Sequence, residues 1–312
     1  MKWLSLASAC FLISHLVQCV PVDSDKPAPS VQGKHFDRMV VIVLSDANYA
    51  DAIKDPYLST LADRHQGLTL TNYKGLALPS QANYVGMISG STSGVVLDSD
   101  ANINDRKTVV DLLESKGISW KTYQEDYTPL ADGSCNSAKN IGNYVRYHNP
   151  FMAFQSISKS PSRCQYIVPG TQLDVDIKNN AVPQFVFYTP NVNEKGGEKT
   201  LISNVSSASS WLKEFLEPKM TQDAFSKDTL VVVTWDKQSS VTTNNHVLTM
   251  LLGSMVNRSS KSDGVPYNHY SILKTVQDNW GLPSLGQKDV GATPFILKDL
   301  AGKPKNRKSF FG

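Results

Sequence analysis

Met39-Val-Val-Ile-Val-Leu44 is an unbroken apolar run, followed at once by Ser45-Asp46-Ala47-Asn48-Tyr49. A run of strand length without polar alternation marks a strand buried on both faces, as in a parallel sheet covered by helices. Gln184-Phe-Val-Phe-Tyr188 and Thr229-Leu-Val-Val-Val-Thr234 repeat the pattern, and residues 119–123 and 250–252 are weaker strands. Helical spacing lies between them. Residues 108–116 set Val109, Leu112 and Leu113 on one face and stop at Gly117. Residues 205–216 align Val205, Ala208, Leu212, Phe215 and Leu216, with Pro218 expected to end the helix. Tyr270–Trp280 aligns Leu273, Val276 and Trp280 and stops at Gly281. Strands alternating with helices of this length predict a doubly wound α/β sheet, mostly parallel, with helices on both faces.

The ends of the chain read differently. Lys2 precedes a mostly apolar stretch to Val17, and Val17 and Cys19 place small residues at cleavage offsets. Residues 1–19 are therefore expected to be a cleaved signal peptide, too short for the roughly 20 apolar residues of a membrane span. Residues 20–36, rich in Pro, Ser, Asp and Lys, are expected to be a disordered lead-in. No repeat or linker interrupts residues 37–300, which predicts one domain. Lys303, Lys305, Arg307 and Lys308 make 301–312 a solvated basic tail. A formal net charge of +3 over 312 residues is too small to argue for a nucleic-acid partner.

Export fits the cysteines. Once residues 1–19 are removed, Cys135 and Cys164 remain, as one disulfide or as two buried thiols. An oxidising compartment favours the disulfide. It would close a loop worth on the order of 3–4 kcal/mol in the chain-entropy model. Asn204-Val-Ser206 and Asn257-Arg-Ser259 are glycosylation sequons.

Ligands of such sheets bind beyond the carboxyl ends of the strands. Asp46 and Asp236 follow two of the apolar runs, where aspartates commonly cap turns and where paired carboxylates also suit a hard divalent cation. Ala77-Leu-Pro-Ser-Gln-Ala-Asn-Tyr84 leads into a helix expected over residues 81–88, with Ser80 at its N-cap. A hydroxyl there either caps the helix or sits where backbone N–H groups would hold a phosphate. The histidines show no paired metal-ligand spacing. His269, at the start of the last long helix, either faces the same sheet edge or packs.

Longer landmarks carry a resemblance. They are Ala47-Asn-Tyr-Ala-Asp-Ala-Ile53, Pro79-Ser-Gln-Ala-Asn-Tyr84, Trp120-Lys-Thr-Tyr-Gln-Glu-Asp126, His148-Asn-Pro-Phe151, Phe187-Tyr-Thr-Pro-Asn191 and Tyr267-Asn-His-Tyr-Ser-Ile-Leu273. The chain resembles the fungal secreted acid phosphatases of the broad phosphoesterase family, which includes bacterial phospholipases C. The resemblance implies a three-layer, alkaline-phosphatase-like α/β/α fold. It also implies hydrolysis of phosphate esters by a hydroxyl nucleophile with a divalent metal.

Carried over by position, Ser80 would be the nucleophile and His269 a second catalytic residue. Asn83, Lys195 and Lys237 would contact phosphate, and Asp46, Asp236 and Glu198 would be the remaining metal ligands. The pattern is broken elsewhere. Ser45-Asp46 stands for Glu-Asn, and Leu78 for the His before Pro-Ser. Lys195-Gly-Gly-Glu198 stands for Asp-Gly-His-Asp, and Trp235-Asp236-Lys237 for Phe-Asp-Glu. These changes lead to an expectation of weak or lost hydrolysis and weak or absent metal. The alternative is a secreted pseudoenzyme that binds an anionic or phosphorylated small molecule.

Overall fold

The computed structural model describes residues 30–192, 194–195, 198–199, 205–239 and 244–300. The signal segment, the basic tail and the Asn204 sequon lie outside the described residues. The apolar runs form the centre of one eight-stranded sheet. Its strands in chain order are β1 (Arg38–Leu44), β2 (Leu68–Leu70), β3 (Trp120–Gln124), β4 (Ile167–Pro169), β5 (Phe185–Thr189), β6 (Thr229–Trp235), β7 (Thr249–Leu252) and β8 (Ser262–Asp263). Across the sheet they run β8-β2-β7-β6-β1-β5-β3-β4. β7 pairs antiparallel with both its neighbours, and every other pairing is parallel. The longest apolar runs take the middle because a central strand has no solvated face. Every residue of β5 and β6 is buried, as is β1 after Arg38.

The main helices are α1 (Leu58–Arg64), α2 (Ser80–Ser89), α3 (Val109–Ser115), α4 (Gln172–Lys178), α5 (Val205–Met220) and α6 (Tyr270–Trp280). Thr108 caps α3 with a reciprocal capping box through Asp111, worth about 1 kcal/mol. Gly281 ends α6 in the left-handed conformation at φ 59°. α5 corrects one expectation, because it passes through Pro218 to Met220. A proline in a helix forfeits its own backbone hydrogen bond and crowds the carbonyl four residues back, and packing of Leu212 and Leu216 carries the helix past that cost.

The disordered lead-in is also corrected, for residues 30–36. Gln184 clamps this segment, accepting from the Val31 N–H at 2.9 Å and donating to the Val31 carbonyl at 2.7 Å. Phe36 is fully buried, edge-on to Trp280 at 5.2 Å. Gly33 lies so close to the chain that a Cβ would stand 2.0 Å from the Phe36 carbonyl oxygen. Cys135 and Cys164 are disulfide-bonded with 29 residues of separation, as expected. Asn257 lies in a surface turn, its Oδ1 accepting from the Ser259 N–H at 3.2 Å.

Candidate active site

β1 and β6 are paired in register, Leu44 opposite Trp235, so their exits lie side by side. Backbone bonds zip the two exits together. The Asp236 N–H donates to the Leu44 carbonyl at 2.8 Å and the Ala47 N–H to the Lys237 carbonyl at 3.2 Å. Asp236 Oδ1 accepts from the N–H of Asp46 at 3.0 Å and of Lys237 at 2.7 Å. Asp46 turns the chain in the left-handed region at φ 41°, which a short polar side chain tolerates. The two acids singled out in the sequence therefore do meet at one sheet edge.

Ser80 joins them from α2. It is the first helical residue, and Pro79 is the N-cap. The expected N-cap role of Ser80 is thus shifted by one position, because Pro79 already holds the extended conformation that a cap needs. Ser80 is 1 % exposed. Its hydroxyl lies close enough to the Asp236 carboxylate to lower its pKa, although Oδ2 has no partner of full hydrogen-bond geometry. Burial first, then the nearby Asp46 carboxylate, push the Asp236 carboxyl up to about 7. Lys237 and the Ser80 hydroxyl pull the other way.

Lys237 settles the charge of the site. Its Nζ is 2.5 Å from Asp46 Oδ1, and both side chains are about six-sevenths buried at 15% and 14% exposure. The same ammonium also lowers the Asp236 pKa, so it acts on both carboxylates.

Asn83 does a different job from the one its position suggested. Its Oδ1 accepts from the Leu76 and Ala77 N–H groups at 2.6 and 3.1 Å, and its Nδ2 donates to the Ala77 and Pro79 carbonyls at 2.8 and 2.9 Å. With every lone pair and proton engaged, it splints the loop that delivers Ser80. Asn83→Ala should cost about 2 kcal/mol in urea unfolding, since it strands two partly buried N–H groups and the carbonyl of Pro79. A loss under about 0.5 kcal/mol would remove this role.

His269 is likewise fully employed. Its Nε2 donates to the Asp236 carbonyl at 2.6 Å and its Nδ1 accepts from the Tyr73 hydroxyl at 3.1 Å. It supports Asp236 from behind, and burial lowers its pKa to about 4. Leu78, where the family pattern has histidine, is 48% exposed. Lys195 and Glu198 pair with each other in a two-residue antiparallel ladder, and their side chains lie outside the described residues.

In the sequence Ser45 marks a break in the family pattern, while Tyr84 and His148 appear only as parts of longer landmarks. Ser45 Oγ, Tyr84 Oη and His148 Nε2 are buried atoms without hydrogen-bond partners among the described residues. The Tyr84 hydroxyl feels the charges of Asp236 and Asp46, and His148 feels that of Lys237. The rings of Tyr84 and His148 lie 5.0 Å apart. Orphaned polar atoms around a serine and a lysine call for a small polar occupant. The landmarks Pro79-Ser-Gln-Ala-Asn-Tyr84 and His148-Asn-Pro-Phe151 contain the two rings, but Tyr84 reads as core in any helical pattern.

Known proteins place the chain. The Phosphoesterase family model matches residues 49–283. A phosphate-repressible acid phosphatase of Penicillium chrysogenum is 36% identical over 282 residues, covering 89% of this chain and 66% of the relative. A probable acid phosphatase of Kluyveromyces lactis is 37% identical over 268 residues, covering 83% and 62%. The chain thus spans no more than about two thirds of the length of either relative. Among solved structures, a protein in the alkaline phosphatase superfamily from Vibrio parahaemolyticus aligns with a TM-score of 0.53 at 14% identity, over 86% of this chain and 72% of that one. The match of architecture agrees with the mostly parallel sheet and its flanking helices. The chain belongs to the phosphoesterase family, on an alkaline-phosphatase-like fold.

Proposed function

We propose that this chain is a secreted member of the family that binds a phosphate-bearing or other small anion at Ser80, with ester hydrolysis weak or lost. The observation that carries the reading is the Lys237 ammonium lying against Asp46 beside the serine. A divalent ion in the family's manner would need Asp46 and Asp236 to itself. An ammonium at that carboxylate repels a cation by several kcal/mol at about 4 Å and an effective dielectric near 20. The residues present do not fit a divalent metal. They fit an anion better. Lys237 supplies a point charge, and Ser45, Ser80, Tyr84 and His148 supply hydroxyl and imidazole groups at the same edge. Export is supported by the signal-like segment and the single disulfide. Among the described residues, no helix is long and apolar enough to cross a membrane.

A second reading has one observation in its favour. The Ser80 hydroxyl neighbours a carboxylate whose raised pKa makes it a better base than an ordinary aspartate. Slow hydrolysis would then have Ser80 Oγ bond to phosphorus as the ester P–O bond breaks. Asp236 would take the serine proton and pass it to the departing alkoxide, after which water cleaves the phosphoserine to free serine and phosphate.

Hydrolysis of an aryl phosphate between about pH 4 and 8, with and without divalent metal, separates the two. The binding reading expects wild type and Ser80→Ala to be indistinguishable, while inorganic phosphate raises the melting temperature of wild type and not of Lys237→Met. Turnover that vanishes in Ser80→Ala would establish the second reading instead.

A further inference from the structure

A second concavity lies along the same carboxyl edge of the sheet, beyond β5, β3 and β4. It has a volume of about 930 Å³, near the upper end of the roughly 300–1,000 Å³ typical of small-molecule sites. Its wall is aromatic and held in place without a ligand. Trp211 and Phe215, from α5, stack at 4.7 Å with planes 12° apart, and Tyr188 leans on Phe215 at 4.4 Å. The Trp211 indole N–H is pinned to Glu125 Oε1 at 3.1 Å. Thr128, Asn143 and Thr171 line the rim.

We propose that this cleft binds a neutral saccharide, its C–H face on the Trp211 ring and its hydroxyls on the polar rim. The charges of the lining select against the other candidates. Glu125 is partly buried and already accepts from Tyr188 Oη at 3.0 Å, Trp211 Nε1 and the Asn191 N–H at 2.9 Å, so its charge serves the wall. Asp174 is bound to Lys219 at 2.7 Å, and the same ammonium stands over the Phe215 ring at 4.3 Å. An organic cation would therefore meet an aromatic face that a lysine already occupies. It would have two exposed carboxylates, both engaged within the protein: Asp126 by Asn191 at 2.8 Å and Asp174 by Lys219. A phosphate would meet Glu125, Asp126 and Asp174 together. A polyol needs neither charge. It needs a fixed ring to lie on and in-plane acceptors and donors at the edge, and carboxylate oxygens, an amide and threonine hydroxyls provide them. The volume admits more than one sugar ring.

The site does not depend on what happens at Ser80. Saturation-transfer NMR and calorimetry with cellobiose, maltose and mannobiose, alongside adenosine and choline, test it on the full chain. At least one disaccharide should receive saturation from the aromatic protons and bind in the micromolar-to-millimolar range. Trp211→Ala should weaken it at least tenfold. Asn143→Ala, which leaves the aromatic wall untouched, should weaken it severalfold and guards against a folding defect in the tryptophan variant. The proposal is overturned if none of the three disaccharides binds at about 10 mM, if Trp211→Ala and Asn143→Ala both bind unchanged, or if adenosine or choline binds there in preference.

Discussion

Replacing Lys237 by glutamate is expected to turn a site that rejects divalent cations into one that holds them, with a gain in affinity of more than about a thousandfold. Two changes add. The ammonium against Asp46 is removed, and a third carboxylate joins Asp46 and Asp236. A unit charge at about 4 Å is worth roughly 4 kcal/mol at an effective dielectric near 20, and a divalent ion doubles the figure. Solvent reaches Asp46 and Lys237 enough to discount this severalfold, yet about 4 kcal/mol already amounts to three orders of magnitude. Without metal the variant should melt below wild type, because three acids would face each other. Added Mn²⁺ or Zn²⁺ should restore and then exceed the wild-type melting temperature. Lys237→Met, which removes the charge and adds no ligand, should fall between. Metal content after dialysis reads the result directly. Stoichiometric metal in wild type, or none in Lys237→Glu, would sink the argument.

How much of this was legible depends on how local each cause is. β1, β5 and β6 could be read because strands buried on both faces leave unbroken apolar runs. The short β2 and β4 left no such trace, since three residues do not make a pattern. Pro218 misled because its local cost is outweighed by the packing of the turns around it, which is not a property of the residue. Asp46 and Asp236 could be paired by the rule that sites follow strands. That the Lys237 side chain folds back onto Asp46, instead of reaching solvent, is a matter of register between β1 and β6. Asn83 and His269 sit inside recognisable motifs. Their hydrogen bonds go to the backbone of other segments, so the motif gave their address and not their work. Tyr84 and His148 are buried aromatic rings, and sequence offers no way to tell a packing ring from one with an unpartnered polar atom.

Acid should expose His148 as a thermodynamic weak point of the fold. Its ring is buried between Tyr84 and Tyr147, with Lys237 as the nearby charge. Burial first, then that ammonium, lower its pKa to about 3. The unfolded chain has an ordinary histidine, near 6.5. Between those values the unfolded state binds one more proton than the folded state, so stability falls as pH falls. Above about pH 6.5 the residue contributes no pH dependence. At about pH 4 the penalty is 2.5 pH units, or about 3 kcal/mol. His269, lowered to about 4, adds a slope of the same sign. Asp236 opposes them, because its raised pKa makes the folded state the better proton binder between about pH 4 and 7. The total slope is therefore a poor test and the difference between variants a good one. His148→Phe keeps a ring against Tyr84 and cannot titrate. Its stability in urea should change less than that of wild type between about pH 8 and pH 4, by about 3 kcal/mol. Parallel pH profiles for the two proteins would mean that His148 is protonated in the folded state, and hence that an acceptor or an anion reaches its Nε2. The same comparison with inorganic phosphate present tells which, because an anion bound between Lys237 and His148 would raise the histidine's pKa and flatten the wild-type profile alone.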